Sequence, residues 1–145
     1  MRRHLDALPP SLKEAYQKTD YVVLEGRREV AAMIIGAKCP PVDRLLRLKG
    51  ANRGAFVTAW NPWSRSRSPA ENERANRRLE RLLKRRRLAY LHGEGRPLEG
   101  AWKPEASLFV FGLTCRDAGI LSRRLRQNAV VFIRRGGKAR LLPTR

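Results

Sequence analysis

Apolar residues fall into two kinds of run along this chain. Short, nearly continuous runs occur at Tyr21 to Leu24, Glu29 to Gly36, Ala55 to Trp60, Leu88 to His92, Leu108 to Gly112 and Asn128 to Arg134. Runs of this length, rich in β-branched and aromatic residues and bounded by Gly, Pro or Asn, predict strands. Asn61-Pro62 closes the third run, because proline biases its predecessor away from helix. Glu25-Gly26-Arg27-Arg28 predicts the turn of a hairpin between the first two runs. Asn52-Arg53-Gly54 predicts another turn, and the segment GEGRPLEG after His92 predicts a glycine-rich one. Gly136-Gly137 predicts a closing hairpin onto Ala139 to Leu142.

The remaining apolar positions recur at three- and four-residue spacing, the period of a helix packed on one side. SLKEAYQK, residues 11–18, predicts a short helix capped by Ser11 with Glu14 at N3. Pro40-Pro41-Val42-Asp43 opens a second helix carrying Leu45, Leu46 and Leu48, with Gly50 past its end. A long helix runs from Pro69 to Lys84 or Arg85. Ser68 is its N-cap, Pro69 sits at N1 and Glu71 at N3. Thr114 to Gln127 predicts a fourth helix behind a Thr114-x-x-Asp117 box. The coarse order is αββαβαββαββ. It predicts an α+β (mixed α/β) single domain with an antiparallel or mixed sheet of about five to seven strands and three to four helices. A domain over 16–142 is expected after an N-terminal tail and helix start at 1–15, and 145 residues suffice for a core.

The long helix has two faces. At about 100° per residue, Ala75, Leu79, Leu82 and Leu83 form one stripe. Arg74, Arg77, Arg78, Arg81 and Arg85 fall on the other side. Residues 64–87 hold ten basic and three acidic residues. Arginines at i,i+4 repel one another by a few tenths of a kcal/mol. A solvated face is the plain explanation; an anionic partner relieves the repulsion. Asn72 and Asn76 break the pattern, since they lie on or beside the apolar stripe.

Charge carries the same signal over the whole chain. With 32 basic against 13 acidic residues the formal net charge is +19. Such a field attracts polyanions. RNA, DNA or an acidic partner are the candidate macromolecules, with Arg65, Arg67, Arg74, Arg77, Arg78, Arg81, Arg85, Arg123 and Arg124 as the candidate contacts. No aromatic platform and no helix-turn-helix pattern stands out.

Several chemistries lack their motifs. There is no G-x-S-x-G elbow, no P-loop and no G-x-G-x-x-G. Cys39 and Cys115 form no Cys-x-x-Cys pair, and with His4 and His92 they lack zinc-ligand spacing. No metal or cofactor is expected. No apolar run approaches the roughly 20 residues that span a bilayer. The basic N-terminus has no continuous apolar segment, so a cytoplasmic location is the expectation.

One constellation resembles a known family. Thr58-Ala59-Trp60-Asn61-Pro62-Trp63-Ser64 followed by Glu71-Asn72, then Trp102, Glu105 and Ser107 in WKPEAS, then Gln127-Asn128-Ala129, resembles the signature of a bacterial family catalogued as domain of unknown function 3293. The similarity covers about Tyr16 to Leu142. It implies a small stand-alone bacterial domain and no assigned chemistry. The positions it picks out, Thr58, Asn61, Ser64, Glu71, Asn72, Glu105, Ser107, Gln127 and Asn128, sit at predicted strand ends and helix starts, where sites form and where caps and turns also need polar groups.

Three functions follow as expectations. The first is binding of nucleic acid or another polyanion on the arginine face. The second is a pocket, or an enzyme, for a small phosphorylated or carboxylated ligand at the Asn61/Asn72 cluster, with Glu71 and Glu105 as a candidate acid/base pair. A module for an acidic protein partner is a third. Neither a catalytic role nor an oligomeric state is legible.

Overall fold

The continuous apolar runs are continuous because the sheet they build is covered on both sides. A computed structural model describes residues 8–99 and 103–144; His4 and Trp102 lie outside the described residues. The strands are β1 (Thr19–Glu25), β2 (Arg28–Met33), β3 (Arg53–Val57), β4 (Tyr90–Pro97), β5 (Glu105–Phe111), β6 (Ala129–Arg134) and β7 (Arg140–Pro143). They form one sheet in the order β2-β1-β4-β5-β3-β6-β7, antiparallel at every pairing. The four helices among the described residues are α1 (Pro10–Gln17), α2 (Pro40–Leu48), α3 (Pro69–Arg85) and α4 (Cys115–Arg124). The observed order is αββαβαββαββ, an α+β fold.

Alternation along β5 divides the core. Phe109 and Phe111 join Phe56, Val131, Ile133, Tyr21 and Met33 on the face covered by α1 and α2. Leu108 and Val110 join Val57, Val130 and Phe132 on the face covered by α3 and α4, against Leu79, Leu83, Ala118 and Leu121. Strands buried on both faces lose their alternation. Accordingly Ser107 to Phe111 of β5 and Ala129 to Ile133 of β6 are all buried, whereas edge strand β2 alternates toward its end.

The two sheet edges are tied. Beyond β2, Gly36 donates to the Ala139 carbonyl (2.8 Å), Ala139 donates to that of Ala37 (3.0 Å), and Lys38 bridges Lys138. The bonds fall in the connections that follow β2 and precede β7, so they join the two edges at one end.

Several predicted boundaries shift. Ser11 lies inside α1, exposed and one residue past its start; Pro9 holds the cap position and makes no side-chain cap. The Pro9-Pro10 pair starts the helix by fixed φ, with Pro10 at N1. The predicted glycine-rich turn is half strand: Gly93 to Pro97 continue β4. Gly93 is there for close approach, since a Cβ would lie 2.6 Å from the Val22 carbonyl oxygen and 2.8 Å from the Phe56 ring. Arg53 and Gly54 belong to β3, not to a turn, and at Gly54 a Cβ would meet the Phe109 ring at 2.5 Å. β2 ends at Met33 and α4 at Arg124, both earlier than predicted. β3 ends at Val57, three residues before Trp60, because the next amides are captured by side chains of α3.

The register pairs Val57 with Leu108 and Phe56 with Val131. The end of β3 and the beginnings of β5 and β6 therefore meet at one end of the sheet. The segment from Thr58 to Ser68 crosses this end and leads into α3.

Candidate functional site

At this sheet end the backbone does something that sequence patterns do not forecast. Asn61 (φ 43°), Trp63 (φ 54°) and Ser64 (φ 59°) are all left-handed, on either side of Pro62. Each such non-glycine residue is strained by about 1–3 kcal/mol and persists only where its surroundings over-determine it. Here they do. The Asn61 amide N–H donates to Asn72 Oδ1 (2.9 Å), and Asn72 Nδ2 donates back to Asn61 Oδ1 (2.8 Å). Asn61 Oδ1 also accepts from the Arg67 amide (3.0 Å), so one side chain spans the loop. Asn76 accepts from the Ala59 amide (2.8 Å) and donates to the Ala106 carbonyl (3.1 Å). Thr58 Oγ1 donates to the same carbonyl (2.8 Å) and accepts from the Trp60 amide (3.0 Å).

The loop is clamped from its other flank by the segment after α4. Gln127 Nε2 donates to the Trp60 carbonyl (3.0 Å), the Trp63 amide donates to the Arg126 carbonyl (2.6 Å), and Asn128 Nδ2 donates to Ser64 Oγ (2.9 Å). Asn72 is only 1% exposed, which makes its pairing obligatory. The helix start itself is a separate device. Ser68 Oγ accepts from the Glu71 amide (3.2 Å) and donates to the Glu71 carboxylate (2.9 Å). That bonding holds the Glu71 carboxyl below the ordinary glutamate value.

The nine predicted site residues thus separate into groups. Asn61, Asn72 and Glu105 are joined directly, the last through Asn61 Nδ2 to Glu105 Oε1 (3.3 Å). Ser64 pairs with Asn128, Thr58 and Gln127 grip backbone, and Glu71 serves the helix start. Ser107 is buried with no partner for its hydroxyl. No hydrogen bond joins Glu71 to Glu105, and their environments differ in sign: burial pushes the Glu105 carboxyl up, partly offset by Asn61. Two neighbours of Glu105 escaped sequence reading. Tyr16 on α1 is pushed up to about 12 by burial, with the Glu105 charge adding to it. Tyr21 on β1 is raised for the same main reason, and its hydroxyl donates to the Tyr16 carbonyl (3.1 Å). Both occupy ordinary apolar positions in the pattern, so only the fold could place them here.

The arginines present the opposite condition. Arg65, Arg67, Arg74, Arg77, Arg78, Arg81, Arg85, Arg123 and Arg124 are all exposed. Among the described residues ion pairs are made by Lys18, His92 and Arg96, and by none of these nine. Two of those on α3 also border a hollow. Arg78 and Arg85 flank a groove of about 320 Å³ between α3 and the end of α4, with Arg67, Arg124 and Arg126 also at its lining. Its floor includes Ala75, Leu79, Leu82 and Leu125. Arg124 borders a second hollow of about 270 Å³ as well.

One acidic residue of α3 is bonded across to the sheet. Glu80 accepts from the Tyr90 hydroxyl (3.0 Å) and pairs with His92 Nε2 (3.2 Å) across to β4. Cys39 is buried, its thiol pushed up by desolvation, and Cys115 is half-buried 3.7 Å from the Arg140 guanidinium; both are free thiols. Among the described residues no group of three or more His, Cys, Asp and Glu could hold a metal, and no helix is long and apolar enough to cross a membrane.

Neither the curated proteins nor the solved structures contain a match to this chain. A family model described as a protein of unknown function (DUF3293) matches residues 57–130. That span runs from the last residue of β3 into β6 and includes every residue of the clamp on the left-handed loop except Thr144, whose hydroxyl donates to the Gln127 carbonyl. The chain belongs to the DUF3293 family of proteins of unknown function.

Proposed function

We propose that this protein binds nucleic acid or another polyanion through the arginine-rich surface of α3 and the end of α4. The observation that supports this most is the unpaired state of its nine exposed arginines on a chain of net charge +19. Unpaired like charges on one helix repel, and an anionic partner turns that repulsion into attraction. Binding of this kind weakens steeply with salt, because neutralised phosphates release their counterions. Retention of RNA and DNA oligonucleotides at rising salt is the test. The triple variant Arg77→Glu, Arg78→Glu, Arg81→Glu should lose retention; if it binds as the parent does, the arginine surface is not the contact. Nuclease treatment before co-purification separates this from an acidic protein partner.

A small phosphorylated or carboxylated ligand at the Asn61/Asn72 corner is a second reading, motivated by the left-handed backbone there. It draws less support. The Asn61 and Asn72 amides are committed to one another and to the loop, and the start of α3 is already served by its own Glu71 carboxylate. A shift of the Asn61 and Asn72 side-chain amide resonances on adding phosphate or acetate would revive it.

A further inference from the structure

The nine arginines differ in what they surround. Arg74, Arg77 and Arg81, the outer three, are exposed on α3 but are not among the residues that line the groove. Arg78 and Arg85 stand two turns apart on one wall, about 10 Å along the axis. Arg124 and Arg126 stand on the facing wall. Arg126, a tenth arginine, has its backbone held there: it is left-handed (φ 59°), and its carbonyl accepts the Trp63 amide at 2.6 Å. Arg67 lies at the end where the chain enters α3. Cations therefore converge on a concavity from two sides, over an aliphatic floor.

Shape separates the candidate polyanions. A duplex presents its phosphates on a convex cylinder, and a helix that reads it does so with an outward face that enters a DNA groove about 12 Å wide. A duplex keeps its bases stacked inside that cylinder, out of reach of the aliphatic lining of the groove. A single strand fits the arrangement: its phosphates meet cations on the rim, and its base faces meet apolar side chains. Grooves that track a single-stranded backbone combine the same two elements, usually with aromatic floors. Here the floor is Ala75, Leu79, Leu82 and Leu125, which gives contact area without base-edge readout.

Resting on the polyanion reading above, we infer that the α3–α4 groove holds a single strand of nucleic acid, phosphates on its arginine rim and bases on its aliphatic floor, with little sequence preference. The outer arginines add long-range attraction only.

The test compares a fluorescent single-stranded oligonucleotide with its matched duplex across a salt series, using the intact chain. The parent should prefer the single strand about tenfold, with a log–log salt slope up to about −3.5 for five phosphates at about −0.7 each. Arg78→Ala with Arg124→Ala should weaken single-strand binding about tenfold or more and make the slope shallower by about 1.4. Arg77→Ala with Arg81→Ala removes the same charge and should change it less than about threefold. Both variants should melt like the parent, because neither pair makes an ion pair. Equal losses from the two pairs, or a duplex that binds as well as the single strand, would overturn the groove while leaving polyanion binding intact. Competition by polyglutamate as effective as by the oligonucleotide at equal charge would also overturn it. Absence of any salt-dependent binding would remove the polyanion reading itself.

Discussion

Helix α3 carries two regions that treat polar groups in opposite ways. In its first two turns Asn72 and Asn76 are buried, and every amide group they bring is bonded to a neighbouring segment. Along its outer and α4-facing sides, five arginines from Arg74 to Arg85 stand exposed without one ion pair. A buried polar group left unpaired costs about 1–3 kcal/mol, which the Asn72 and Asn76 amides avoid. An exposed arginine is hydrated and carries no such obligation. The first region is therefore where the fold is decided, and the second is where charge is left over for a partner.

The sharpest way to break this contrast is at Asn72. Asn72→Ala leaves the Asn61 amide without its acceptor and releases the left-handed loop, so unfolding stability should fall by about 3 kcal/mol in urea titrations. A loss under about 1 kcal/mol would mean that the loop is held without it. Ser68→Ala removes only the helix cap and should lower stability by about 1 kcal/mol, read as a smaller drop in Tm.

The two glutamates flanking the corner test its electrostatics by sign. Burial raises the Glu105 carboxyl in the folded state, so the folded protein holds that proton more tightly. Stability from this group is present below its unfolded value, about 4.3, and is lost as pH rises through the folded value. The parent should therefore lose ground to Glu105→Gln as pH is raised from about 4.3 toward neutrality. Glu71 is lowered by its bonds to Ser68, so its contribution is present above the unfolded value and lost as pH falls through the folded one. Urea midpoints of Glu71→Gln and the parent should converge as pH is lowered. Parallel curves for both variants would show that neither environment matters. The smallest effect belongs to the exposed region: Arg77→Gln with Arg81→Gln should leave stability unchanged or raise it by a few tenths of a kcal/mol, through relief of i,i+4 repulsion.

Element identity was legible because burial on both faces writes continuous apolar runs for β3, β5 and β6, and because Ser68 and Thr114 cap their helices as the motifs predict. The Gly93 to Pro97 part of β4 was not, since glycine reads locally as a turn while its reason here is the Val22 carbonyl pressed against it from the next strand. Strand order was hidden for the same reason: β3 lies between β5 and β6, partners far away in sequence. At the corner, Asn72 announced itself as a polar residue on an apolar stripe. The left-handed turn did not, because Trp63 and Ser64 carry no signal for that conformation. The helical wheel puts Arg78 and Arg85 on one ridge with the other α3 arginines; that they also line a groove depends on Arg124 to Arg126 beside them, which the wheel does not show.

The tie between Gly36 to Lys38 and Lys138 to Ala139 joins segments about a hundred residues apart. During synthesis, β1 and β2 can form their hairpin early, but the far edge of the sheet cannot close on them until residues beyond 138 have emerged from the ribosome. Contacts of such long sequence separation slow folding, because loop closure must come before the bonds that reward it. Until then the edge of β3 awaits its neighbour β6. A nascent chain stalled before β6 is thus the form of this protein most exposed to aggregation, and the interval from residue 111 to 139 is the window a chaperone would have to guard.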